Sequence, residues 1–86
     1  RMRIATSPNP FIDNVRFAVS SKSSEPVQIF VHNLKGQMVN SFSMDSNKAF
    51  VWDGKDYNSR ELGAGVYFVK AKQGSEVSTL KVLKLK

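Results

Sequence analysis

The sequence predicts an all-β fold, a seven-stranded antiparallel β-sandwich, and three observations carry that prediction. Apolar residues recur with period two in short runs, Gly, Pro, Asn and Asp turn chemistry separates the runs, and no segment shows the 3.6-residue period of a helix. Short strands at this spacing pack as two layers around one core.

The elements follow in chain order. Met2 to Thr6 reads either as the first strand or as the end of a linker. It precedes Ser7-Pro8-Asn9-Pro10, where Pro8 and Pro10 lack backbone donors and interrupt sheet pairing. Asn14 to Ser20 alternates, with Val15, Phe17 and Val19 on one face. Pro26 can only open a strand, so the third runs from Val27 to Asn33 with Val27, Ile29 and Val31 inward and Phe30 and His32 on the other face.

Asn33-Leu34-Lys35-Gly36 is a tight turn in which Gly36 takes the left-handed position, and Gln37 to Ser43 returns from it as a hairpin. Lys48 to Trp52 is the fifth strand. The polar loop from Asp53 to Gly63 leads to the sixth, Gly65 to Lys72, and Gln73-Gly74 turns the chain into the last, Val77 to Leu85. This pattern is of the immunoglobulin-like type.

At 86 residues there is room for one domain, burying roughly 60 to 70% of the surface its unfolded chain exposes. Cysteine is absent, so neither a disulfide nor a thiolate metal site supplements the core. The chain opens Arg-Met-Arg and reads as a piece of a longer polypeptide, with no apolar run near the ~18 residues of a membrane-spanning helix.

Thirteen Lys and Arg against seven Asp and Glu give a net charge of +6, which favours acidic partners. The basic residues are spread along the strands and concentrate only in the tail, at Lys81, Lys84 and Lys86. No recognition helix or RNP-type aromatic signature accompanies them, so no nucleic-acid partner is expected.

Val51 to Lys70, VWDGKDYNSRELGAGVYFVK, is the densest motif. Trp52 and Tyr67 read as core anchors, Asp53-Gly54 as a turn pair in which Gly54 accepts a positive φ, and Gly65 as the opening of an apolar strand. Asp53, Asp56 and Asn58 place oxygens in one loop, but not at the spacing of an EF-hand, and turn capping accounts for them. No cofactor and no metal are expected. His32, alone on a strand face, reads as structural. Acid pairs for glycoside hydrolysis need a cleft that a sandwich of this size has little wall to build, so an enzyme is not expected. Only Tyr57 is placed for exposure.

The order of motifs now carries a resemblance. SPNPF at Ser7 to Phe11, VQIFVHN turning through LKG into QMV, GAGVYFVK at Gly63 to Lys70 and the closing KVLKLK look like the C-terminal sorting domain of the type IX secretion system. The likeness spans essentially the whole chain. WDGKDYNSRELGAGVYFV also resembles the immunoglobulin-like module of flagellar hook-capping proteins, which lacks the Pro-Asn-Pro opening.

The resemblance implies a domain at the C-terminus of a larger surface or secreted protein of Bacteroidetes-type bacteria. It would direct an upstream cargo domain from the periplasm across the outer membrane to the cell surface, with the outer-membrane translocon and its shuttle proteins as partners. A sortase-type protease would then usually remove it.

The expected recognition element is the terminal strand, Lys81, Val82, Leu83, Lys84, Leu85 and Lys86. Leu80 and Val82 lie on one face and Leu83 and Leu85 on the other, so a strand covered on one side has apolar residues to spare. Either a bulge near Val82 or Leu83 shifts the phase, or a neighbouring domain covers the second face, or the tail presents these residues with its lysines to a translocon component, by strand addition. Deleting Lys81 to Lys86 is expected to abolish export while leaving much of the sandwich folded, and Glu at Lys81, Lys84 and Lys86 to weaken capture without large loss of stability. The alternative function is a structural or carbohydrate-binding immunoglobulin-like module of an extracellular protein. An edge strand beside a two-proline hinge also allows a strand-swapped homodimer.

Overall fold

The computed structural model describes residues 2–86. The seven predicted strands form, each within two residues of its expected bounds: β1 (Arg3–Ser7), β2 (Val15–Ser20), β3 (Val27–His32), β4 (Met38–Met44), β5 (Ala49–Trp52), β6 (Gly65–Gln73) and β7 (Glu76–Lys84). Met2 to Thr6 is no linker end: residues Arg3 to Ser7 pair antiparallel with β2, and Met2 is buried.

Two sheets face each other, one of order β1-β2-β5 and one of order β4-β3-β6-β7. Both are antiparallel throughout, as an immunoglobulin-like sandwich requires. The alternation seen in sequence becomes the layer structure, because period-two side chains point alternately into and out of a pleated sheet. Val15, Phe17 and Val19 from one sheet meet Val27, Ile29, Val31, Val69, Ala71 and Val82 from the other, all buried. Phe42 and Phe50 stack with ring centroids 4.0 Å apart, filling the side where β4 and β5 approach.

The hairpin turn at Asn33 forms as expected. The Gly36 amide donates to the Asn33 carbonyl at 3.0 Å, and Gly36 adopts φ 86°, a conformation that a Cβ disfavours. Before the turn, the β3–β4 pairing carries a register shift between Val31 and His32.

Register decides the phase of β7. Nine consecutive pairs, from Gln73↔Glu76 to Gly65↔Lys84, run without interruption, so no bulge exchanges its faces. The bulge expected as one account of the terminal strand is therefore absent. Leu80, Val82 and Lys84 point inward, and Lys81 and Leu83 point outward, followed by exposed Leu85.

Candidate recognition site at the terminal strand

β7 is an edge strand, and edge strands expose unpaired backbone groups. Here the last part of that edge is covered by the Pro-Asn-Pro-Phe segment. Pro8 and Pro10 cannot donate, so Asn9 pairs through its side-chain amide instead. Its Nδ2 donates to the Lys81 carbonyl at 3.0 Å, and its Oδ1 accepts from the Leu83 amide at 3.0 Å. The Phe11 amide donates to the Leu83 carbonyl at 2.9 Å, and the Leu85 amide donates to the Phe11 carbonyl at 2.8 Å. Four hydrogen bonds thus cap the edge from Lys81 to Leu85, while among the described residues Glu76 to Leu80 pairs with no further strand.

Phe11 is itself a core residue, 1% exposed. Its ring packs tilted on Trp52 at 5.7 Å, and Trp52 meets Tyr67 edge-on at 5.7 Å. Trp52 and Tyr67 are core anchors, as the sequence predicts. The Trp52 indole N–H donates to the Lys55 carbonyl at 2.9 Å, and the Tyr67 hydroxyl donates to the Gly63 carbonyl at 2.6 Å, which pins both ends of the polar loop to the core. Burial pushes the Tyr67 hydroxyl above its ordinary pKa, since a phenolate there would lose its solvation.

The loop carboxylates serve turns. Asp53 Oδ1 accepts from the Lys55 amide, and Asp56 Oδ1 from the amides of Asn58 and Arg60. Among the described residues no group of three or more His, Asp or Glu is placed to hold a metal. Tyr57 is exposed, as expected, and His32 is half-buried on the outer sheet face.

Lys84 departs from expectation. With Lys81 and Lys86 it reads from sequence as a surface cation, yet its side chain is wholly buried. The physical reason is its parity with Val82: it lies on the inner row, and its methylene stem runs over Gly54 and Phe11. A Cβ on Gly54 would stand 2.7 Å from Lys84 Cε and 3.5 Å from the Phe11 ring, and Gly54 also holds φ 75°. The stem packs as an apolar residue and only the ammonium needs a partner. Lys84 Nζ pairs with Glu61 at 3.1 Å and also donates to the Lys86 carbonyl. Glu61 is held there because its loop closes on itself through the Lys55↔Glu61 bridge and the Leu62 amide bond to the Gly54 carbonyl at 3.1 Å.

Asn9, Phe11, Gly54, Glu61 and Lys84 therefore converge on one end of the sandwich. This leaves Lys81 and Leu83 facing outward on the terminal strand, with exposed Leu85 and Lys86 directly after it, Leu83 36% and Leu85 53% exposed. Deletion of Lys81 to Lys86 would remove buried Val82 and Lys84 and uncover Phe11, contrary to the expectation that the sandwich would stay largely folded.

The arrangement is a seven-stranded immunoglobulin-like sandwich whose Pro-Asn-Pro-Phe segment and Trp52–Gly54 loop close on the end of the last strand. Residues 7–85 match the family of secretion system C-terminal sorting domains, and the chain belongs to that family. It is a C-terminal sorting signal of type IX secretion, the role that marks a protein for export towards the cell surface. The family is one of secretion signals rather than of catalysts.

Several solved structures share the fold. PorZ, a surface component of the type IX secretion system of Porphyromonas gingivalis, aligns with TM-score 0.72 and 14% identity over 96% of this chain and 11% of PorZ. The hook-capping protein FlgD of Xanthomonas campestris aligns with TM-score 0.66 and 21% identity over 95% of this chain and 65% of FlgD. The alkylpurine DNA glycosylase AlkC of Pseudomonas fluorescens aligns with TM-score 0.55 and 14% identity over 99% of this chain and 30% of AlkC. The chain thus spans about a tenth of PorZ and about two thirds of FlgD. At these identities the likeness is one of fold. No curated protein matches the chain.

Proposed function

We propose that this domain directs an upstream cargo across the outer membrane by presenting the outer row of its terminal strand, Lys81, Leu83 and Leu85, with exposed Lys86 beside it, to the outer-membrane translocon or its shuttle proteins. The observation that carries the reading is the uninterrupted register of β7. It turns Leu83 outward beside exposed Lys81, and exposed Leu85 and Lys86 follow directly after the strand. Large apolar residues grouped on a surface mark interaction sites more often than singly scattered ones do.

Val82 and Lys84 contribute differently. They hold the strand in place, and a partner reaches them only if the strand is withdrawn. Strand addition along Lys81 to Leu85 would first have to displace Asn9 and Phe11, whereas among the described residues the Glu76 to Leu80 edge pairs with no further strand. Removal by a sortase-type protease after export completes the proposed cycle, with the domain excised from its cargo and performing no chemistry of its own. Exchange of β1 across the Pro8–Pro10 hinge is the proposed route to a homodimer.

The test is export of a reporter fused upstream of the domain in a type IX-competent bacterium. The outer-row variant Lys81→Glu/Leu83→Ser/Leu85→Ser/Lys86→Glu should leave the reporter in the periplasm, and secretion at the unmodified level would overturn the reading. A paired variant on the opposite sheet, Arg16→Glu/Val51→Ser, should export normally.

A further inference from the structure

The outer face of the β4-β3-β6-β7 sheet carries a second feature, centred away from the terminal residues. An antiparallel sheet with one solvated face ordinarily alternates apolar-in and polar-out. Here the outward positions of the two middle strands include Phe30 on β3 and Val66 and Phe68 on β6, all only half-buried. Register brings them together with β7. Val66 pairs with Leu83, Phe68 lies between His32 and Lys81, and Phe30 is paired with Lys70, diagonal to Phe68. Phe30, Val66, Phe68 and Leu83 thus form an apolar centre with His32, Lys70 and Lys81 around it.

The rim has one sign. No outward position of β3, β4, β6 or β7 is Asp or Glu. Among the described residues neither Lys70 nor Lys81 forms an ion pair, the two salt bridges being Lys48–Asp45 and Lys84–Glu61. Glu25 lines the far end of the face beside Lys72. An apolar centre with a polar rim is the anatomy of a protein interface. A rim of unpaired cations selects the partner by charge, because a like-charged surface against it is repelled and an acidic one is steered in. The same rule excludes a second copy of this chain docked face to face, which would set Lys70 and Lys81 against their equivalents.

We propose that this face docks an acidic partner protein, one whose surface presents apolar side chains flanked by carboxylates. The partner's apolar groups seat on Phe30 and Phe68, and its carboxylates meet Lys70 and Lys81. The proposal is separate from the reading of the terminal strand as the export signal. Lys81 and Leu83 are common to both, but Phe30, Phe68 and Lys70 belong to this face alone.

The experiment titrates the isotope-labelled chain with a short synthetic peptide in which glutamates flank a pair of phenylalanines, following backbone amide shifts. The expected result is saturable shifts confined to the strands around Phe30, Val66, Phe68 and Leu83, with binding weakened about tenfold or more by Lys70→Glu and weakened again by added salt. Phe68→Ser should also weaken binding, and Lys70→Glu, at an exposed position, keeps the test valid if the Phe68 variant fails to fold. Absence of binding, shifts centred elsewhere, or equal binding of polyglutamate or of a sulfated polysaccharide would overturn the proposal, the last two by showing a general polyanion site. Export is a separate readout. A Lys70→Glu chain that loses the peptide yet still carries its reporter out separates this face from the terminal-strand signal, and loss of peptide binding by unmodified protein leaves that signal untouched.

Discussion

On β7 two rows of side chains alternate along one stretch of chain. The inner row of Leu80, Val82 and Lys84 meets a different environment from the outer row of Lys81, Leu83 and Leu85. Both rows mix aliphatic residues with lysine, so composition does not distinguish them. Parity does. Lys84 is buried as an extension of the apolar row, its ammonium answered by Glu61, while Lys81 stands in solvent and Leu83 beside it is more than a third exposed. A residue's role on this strand follows from the face it occupies, and charge alone is a poor guide to which lysines a partner can touch.

The inner row should be the more sensitive by a wide margin. Lys84→Glu places a carboxylate on the buried inner row beside Glu61 and leaves no cation to answer either group. An uncompensated charge left at a buried position costs on the order of 3 to 5 kcal/mol, and repulsion from the largely solvated Glu61 acts in the same direction. Denaturant unfolding of the variant should show a midpoint shifted accordingly. Lys84→Met, which keeps most of the stem and leaves the largely solvated Glu61 in water, should recover most of the loss. A loss below about 1 kcal/mol for Lys84→Glu would erase the distinction between the rows, since that is the range of exposed ion pairs.

Asn9 tests the edge that joins the two rows. Its side-chain amide makes two of the four bonds that cap β7. Asn9→Ala should cost about 1 to 3 kcal/mol, as each of the two bonds contributes on the order of 0.5 to 1.5 kcal/mol net. The effect should be local. Hydrogen exchange at the Leu83 amide should accelerate while that of Val69, in the middle of the sheet, keeps its protection. Unchanged exchange at Leu83 would show that Phe11 alone holds the strand.

How far these features are legible in sequence depends on their range along the chain. The strands and the turn at Gly36 are readable because period-two alternation and turn residues are local signals, and Trp52 and Tyr67 announce themselves as large apolar anchors. The burial of Lys84 was within reach, because Leu80 and Val82 set the parity that Lys84 continues. A charge at the end of a basic tail reads as solvated, and only the depth of the Phe11 and Gly54 contact decides otherwise. The bonds of Asn9 to Lys81 and Leu83 cross more than seventy residues. Pro8 and Pro10 signal an interruption in pairing, and nothing local says that the amide between them replaces the lost donors. The outer apolar face was half visible, with Phe30 and His32 readable on one side of β3, but its continuity with Phe68 and Leu83 is a product of register.

The smallest expected effect on stability is the one that most sharpens the contrast. Lys81→Glu together with Lys86→Glu changes two charges that make no ion pair among the described residues, on side chains that bury no core surface. Exposed substitutions of this kind fall within about 0.5 kcal/mol of neutral, so thermal and denaturant unfolding should hardly move. If recognition runs through the outer row, the same double change should still reduce export of a fused reporter, because the terminal strand then offers carboxylates where it had offered cations. Stability retained with export lost assigns these lysines to a partner. Stability lost in proportion to export would instead place the outer row with Val82 and Lys84, as part of what holds the strand down.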